Sequence, residues 1–127
     1  MSIVRFDPFV DFISNGRWVP PVDIFENDKQ ELVLKAELPD MKREDISVVV
    51  ENQTLTLKGE RKVASDVKQE QFHRVERAYG AFSRSFSLPQ TVDASRIAAE
   101  YKNGVLTITL PIRVESRPRT INVEVAA

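Results

Sequence analysis

Residues 96–111 read RIAAEYKNGVLTITLP, and this stretch decides the fold. Ile97, Ala99 and Tyr101 alternate ahead of Asn103–Gly104, and the run from Val105 to Leu110 follows it. Asn–Gly between alternating runs is the strongest short hairpin signal, because both turn residues tolerate positive φ. Period-two alternation makes one face of each run apolar, as in a half-buried strand.

The segments upstream repeat the pattern. In ELVLKAELP (31–39), Leu32, Leu34, Ala36 and Leu38 alternate and Pro39 stops the run. DISVVVENQTLTLKGE (45–60) places Ile46, Val48 and Val50 before a turn at Asn52–Gln53, with Leu55 and Leu57 beyond it. AFSRSFSLP (81–89) sets Phe82, Arg84, Phe86 and Leu88 against Ser83, Ser85 and Ser87. DMKRED (40–45) predicts one short turn or helical turn, and the charged, mostly non-periodic stretch 60–71, ERKVASDVKQEQ, predicts a long excursion from the sheet. Seven or more short strands, punctuated by Pro and Gly and with no long helix, argue an antiparallel β-sandwich. Residues 1–17 read as an N-terminal arm, 18–111 as the folded body and 112–127 as a C-terminal extension.

Composition bounds the function. The chain has 127 residues, 18 Lys+Arg against 19 Asp+Glu, one His and no Cys. That length suits one domain able to fold without staples. The lack of cysteine excludes a thiol nucleophile, a Cys-ligated metal and a redox switch. A net charge of −1 argues against nucleic acid as a partner. No apolar run approaches the ~20 residues that span a bilayer. Arg5, Asp7 and Asp11 interrupt the place where a signal peptide would be apolar. The expectation is a soluble, intracellular, single-domain protein.

Catalytic patterns are missing. Gly16, Gly59, Gly80 and Gly104 stand too far apart for a phosphate-cradling loop. His73 has no partners at metal-ligand spacing and no nucleophile elbow to serve. Acidic pairs such as Glu44–Asp45 lie in charged, loop-like stretches and read as solvated turn charge. Arg113, Arg117 and Arg119 are interleaved with Glu115 and Glu124, which suits a solvated tail. The sequence predicts no enzyme, no cofactor and no metal.

Three features stand out against this background. The arm carries Phe6, Phe9 and Phe12, and Phe6, Phe9, Val10 and Ile13 fall on one helical face. Such a stripe either folds back on its own domain or binds other copies and client chains. Arg84 shares a strand face with Phe82, Phe86 and Leu88, so it must meet a carboxylate, lie at an interface, or act as an edge charge that deters sheet pairing. In the extension, Ile121, Val123 and Val125 alternate beyond a polar tether. That pattern reads as a last strand of the same sandwich or as one that adds to an exposed sheet edge.

From Trp18 to Pro111 the chain resembles the α-crystallin domain of small heat-shock proteins. WVPPVDIFE looks like that family's opening strand, LKAELPDMKREDISVVVENQTLTLKGER like its following block, and FHRVERAYGAFSRSFSLP and AAEYKNGVLTITLP like its two most diagnostic stretches. Ala99, Asn103, Gly104, Val105 and Leu106 fit the A-x-x-x-N/D-G-V-L signature. MSIVRFDPF resembles the arm of bacterial members, though the arm is shorter than most, and Ile121–Asn122–Val123 looks like the C-terminal I-x-I/V motif. The resemblance implies an all-β, immunoglobulin-like antiparallel sandwich. It also implies a cytoplasmic, ATP-independent holdase that binds unfolding proteins during heat or other stress, with neither nucleic acid nor membrane as partner. Homodimers would form by carrying the 60–77 excursion across to the partner, with Phe72, Glu76 and Arg84 at that interface. Ile121 and Val123 would link dimers into larger oligomers through a groove near Val48, Val50, Ile97 and Ala99, and Phe6, Phe9 and Phe12 would take up clients. The alternative is a monomeric adaptor sandwich that docks a folded partner, which would need neither the Phe arm nor Ile121 and Val123. A sugar-binding sandwich lacks support, since Trp18 and two Tyr offer few stacking platforms.

Overall fold

Two tight turns organise the chain as the sequence requires. Asn52 and Gln53 (φ 51° and 57°) join one hairpin, and Asn103 and Gly104 (φ 54° and 75°) join another. Positive φ at both central residues matches the twist of the flanking strands. At Gly104 an added Cβ would also come within 3.2 Å of the Pro39 Cα. A third hairpin is closed by a side chain: Asn27 Oδ1 accepts the Lys29 and Glu31 N–H groups, each at 3.0 Å. This is the local bonding for which Asn is favoured in turns.

The computed structural model describes residues 18–126, which form seven strands in two antiparallel sheets. These are β1 (Val22–Glu26), β2 (Glu31–Glu37), β3 (Ile46–Glu51), β4 (Thr54–Arg61), β5 (Gly80–Ser87), β6 (Ala98–Lys102) and β7 (Val105–Pro111). One sheet has the order β1-β2-β7-β6 and the other β3-β4-β5. The all-β antiparallel sandwich is the architecture expected. Phe6, Phe9 and Phe12 lie outside the described residues.

The core follows the alternation. Leu34 pairs with Ile108, Ala36 with Leu106 and Leu32 with Leu110 across β2 and β7. From the opposite sheet Leu55, Leu57 and Phe82 meet them, and Trp18, Met41 and Val92 close the ends. Trp18 packs edge-on against Phe82 at 5.1 Å between centroids, a favoured aromatic geometry. Tyr101, half-buried on β6, donates its hydroxyl to the Leu38 carbonyl and accepts the Met41 N–H at 3.3 Å. That pair of bonds fixes the segment entering β3 against β6.

One boundary differs from the sequence reading. The β4–β5 ladder continues through Glu60↔Ala81 and Arg61↔Gly80, so the excursion begins at Lys62 rather than at residue 60. It runs to Tyr79 with a single 3-10 turn at Gln69–Gln71. The extension holds no strand over 112–126. Its root is tied down by the Val92↔Ile112 bridge, Asp93 N–H to the Pro111 carbonyl (2.8 Å) and Arg113 N–H to the Thr91 carbonyl (2.7 Å).

Two outcomes follow from this packing. Ile108 is fully buried at the centre of the sandwich, so Ile108→Ala should cost about 2–5 kcal/mol, read as a lower urea midpoint at unchanged m-value. Asp93 caps the turn at Ala94–Arg96, and its hydrogen bond from the Ser95 hydroxyl (2.6 Å) holds its carboxyl below the ordinary value of 3.8. A group depressed in the folded state stabilises above its unfolded pKa and loses that contribution as pH falls through the folded one. The urea-midpoint gap between the native chain and Asp93→Asn should therefore be full at neutral pH and shrink as pH drops below 3.8.

Candidate assembly surfaces

The two sheets leave a gap along one side, where edge strand β3 faces edge strand β6. Ile46 and Val48 form one wall, Ala99 and Tyr101 the other, Leu106 the floor, and Arg43 and Glu100 the polar rim of a groove of about 480 Å³. The walls are apolar because both strands keep their period-two faces turned toward the core without a strand to cover them. Val48 and Ala99 line this groove, while Val50 and Ile97 pack half-buried against the core.

The extension presents the complementary feature. Ile121, Val123 and Val125 are 77%, 89% and 93% exposed. Three apolar side chains at i, i+2 and i+4 lie on one face of any extended segment.

At the far side, Arg84 is half-buried on β5. Its Nη1 donates to the Pro20 carbonyl at 3.2 Å and its guanidinium lies 5.1 Å over the Phe86 ring. Glu76 is exposed in the excursion and pairs with Arg74 at 3.1 Å. A single chain therefore satisfies Arg84 through a carbonyl and an aromatic face, and does not bring Arg84 and Glu76 together. Phe72 is half-buried in the same excursion and follows the Gln69–Gln71 turn, donating its N–H to the Gln69 carbonyl at 3.3 Å. His73 is exposed, and no group of three or more metal-ligating side chains exists among the described residues.

Two places escaped the sequence reading. Ile24 and Phe25 are both exposed on edge strand β1. Adjacent strand residues point to opposite faces, so the contiguous Ile–Phe in VDIFE was the available signal for a strand edge awaiting cover. The second is Arg61, buried between Trp18 and Tyr79 with its guanidinium 5.0 Å and 5.7 Å from their ring centroids. Burial, and then the neighbouring Arg77 cation, lower its pKa from the ordinary arginine value. No helix among the described residues is long and apolar enough to cross a membrane.

Comparison with known proteins places these surfaces in context. The profile of the Hsp20/alpha crystallin family matches residues 24–125. The chain is 35% identical over 132 residues to spore protein SP21 of Stigmatella aurantiaca, covering 96% of this chain and 76% of that protein. It is 38% identical over 106 residues to small heat shock protein C2 of Rickettsia felis, covering 84% of this chain and 68% of that one. Among solved structures, a small heat-shock protein from Xylella fastidiosa superposes with a TM-score of 0.72 at 44% identity, covering 85% of this chain and 98% of its own.

Proposed function

The chain belongs to the Hsp20/alpha crystallin family, and from that premise we propose that it is a cytoplasmic, ATP-independent holdase that binds unfolding proteins and prevents their aggregation. The observation that carries the reading is the coexistence of an open apolar groove between β3 and β6 with an exposed Ile121–Asn122–Val123 segment on a tether. Each is incomplete alone. Ile121 and Val123 would each contribute about 1.5–3 kcal/mol on full burial, and an assembly repeats that contact in every subunit. The occupant of the groove is the extension of a second copy. For the Xylella relative, the crystal structure reveals a distinct high order structure, which supports assembly as the family's habit.

A dimer is the unit from which such particles are built. The excursion from Lys62 to Tyr79 leaves the sheet after Arg61 and returns at Gly80, and edge strand β1 exposes Ile24 and Phe25. The excursion of one protomer crosses to cover the β1 edge of the next, with Phe72 at the contact. Glu76 exchanges its exposed pairing with Arg74 for the half-buried Arg84 of the partner. Clients are held by Phe6, Phe9 and Phe12 of the arm, since each aromatic can bury ~150–250 Å² against a surface of no fixed shape. The surfaces proposed to act, namely groove, tail, strand edge and arm, are all apolar contact surfaces.

Two measurements test this. First, a heat-labile client warmed with the native chain, no nucleotide added, should scatter far less light than alone, and the triple variant Phe6→Ser, Phe9→Ser, Phe12→Ser should protect poorly with an unchanged far-ultraviolet circular dichroism spectrum. Full protection by that variant moves client binding to the strand edges. Second, in sedimentation velocity, deletion of residues 119–127 should reduce large particles to dimers, and Glu76→Arg in that background should reduce dimers to monomers. An unchanged particle size for the deletion would show that the extension does not link subunits.

A further inference from the structure

The β3–β6 groove has a direction relative to the point where the extension leaves the body. Tyr101 accepts the Met41 N–H, so the Tyr101 end of β6 lies beside the start of β3. The groove therefore has an Ile46–Tyr101 end, next to Arg43, and a Val48–Ala99 end. The second is the end nearer the extension. Ala99 pairs with Ile108 on β7, and β7 continues from Ile108 to Pro111 and on to the bonded anchor at Arg113.

Arg113 stands five residues beyond Ile108, at most about 18 Å of extended chain, and an antiparallel pair adds about 4.5–5.5 Å across to Ala99. Laid end to end these steps come to about 24 Å, within the span of the eight residue steps from Arg113 to Ile121. The extension is thus long enough to enter the groove of its own chain, and it arrives at the Val48–Ala99 end. Ile121 and Val123 then match two rungs, Val48 with Ala99 and Ile46 with Tyr101, because positions i and i+2 repeat at one spacing on every extended segment. Asn122 turns outward at the level of Glu100 on the rim, and Glu124 comes to the side where Arg43 stands. The reverse direction would bring Arg119 toward Arg43, cation against cation.

We infer that in a subunit released from the particle the extension closes the groove of its own chain, with Ile121 at Ala99, Val123 at Tyr101 and Glu124 beside Arg43. The inference rests on the groove-and-extension reading above and gives that site its regulation. One seat serves either a neighbour's extension or the subunit's own, and a short tether presents the latter at about millimolar effective concentration. Dissociation then does not leave the groove open.

The chain has no cysteine, so two introduced thiols report the seat. Glu100→Cys and Asn122→Cys replace exposed side chains at matching levels of the rim. The full-length variant is oxidised over a dilution series and run on denaturing gels without reductant, while sedimentation velocity marks where large particles are lost. The expected disulfide is interchain while particles persist and intrachain once they dissociate. Adding Ile121→Ser and Val123→Ser should cut the intrachain yield about tenfold or more. Arg43→Glu should cut it about two- to fivefold, and Glu124→Arg added to that change should restore it. Interchain product alone at every dilution overturns the inference while leaving the link between subunits intact. No disulfide at any concentration removes the groove as the seat for both. An intrachain yield that ignores the two serines, or a charge reversal that restores nothing, overturns the inference as well.

Discussion

The seven-residue ladder between β2 and β7 is the constraint on which the rest of the molecule depends. It runs unbroken from Glu31↔Pro111 to Glu37↔Val105 and aligns Leu34 with Ile108 at the middle of the four-stranded sheet. A slip of β2 by one residue against β7 would turn Leu32, Leu34 and Ala36 outward together. The register also fixes what lies at each end. Beyond Glu37, Tyr101 is held by Leu38 and Met41 and sets the wall of the β3–β6 groove. Beyond Pro111, the extension leaves the body at a defined point.

Sandwiches usually manage their open edges by shortening, charging or covering them. Here β1 carries Ile24 and Phe25 outward, while β3 and β6 share an uncovered apolar groove. Acidic residues bracket the first edge, Asp23 and Glu26, and Arg43 with Glu100 rim the second. The same groups that discourage indiscriminate pairing leave apolar strips wide enough for a partner of suitable shape.

Much of this was legible because the deciding signals are local. Asn103–Gly104 and Asn52–Gln53 announce their hairpins within a few residues, and the alternation of 31–38 and 105–110 names the core faces directly. The Ile121–Asn122–Val123 segment is legible too, since an apolar alternation beyond a polar tether needs no tertiary knowledge to be noticed. Other features were beyond reach because they are made by residues distant in the chain. The burial of Arg61 depends on Trp18 and Tyr79, and nothing within its own strand signals it. The end of β4 was misjudged at Glu60 because charged residues at a strand terminus look like loop until Ala81 and Gly80 pair with them. Arg84 illustrates the intermediate case. Its face was read correctly, but a backbone carbonyl, that of Pro20, cannot be foreseen as a partner from side-chain chemistry.

The clamp at Thr91–Asp93 turns the extension into a measuring rod. Because Ile112 and Arg113 are bonded to the body, the free length begins at Arg113 instead of floating along the strand. Ile121 lies eight residue steps beyond Arg113, so full stretching sets a ceiling of about 26–29 Å on the distance between the anchor and any seat that Ile121 can occupy. Pro118 stiffens the middle of that span. If the extension links subunits as proposed, those placed farther apart cannot be joined by it, and one inserted or deleted residue would change that reach by about 3.3–3.6 Å.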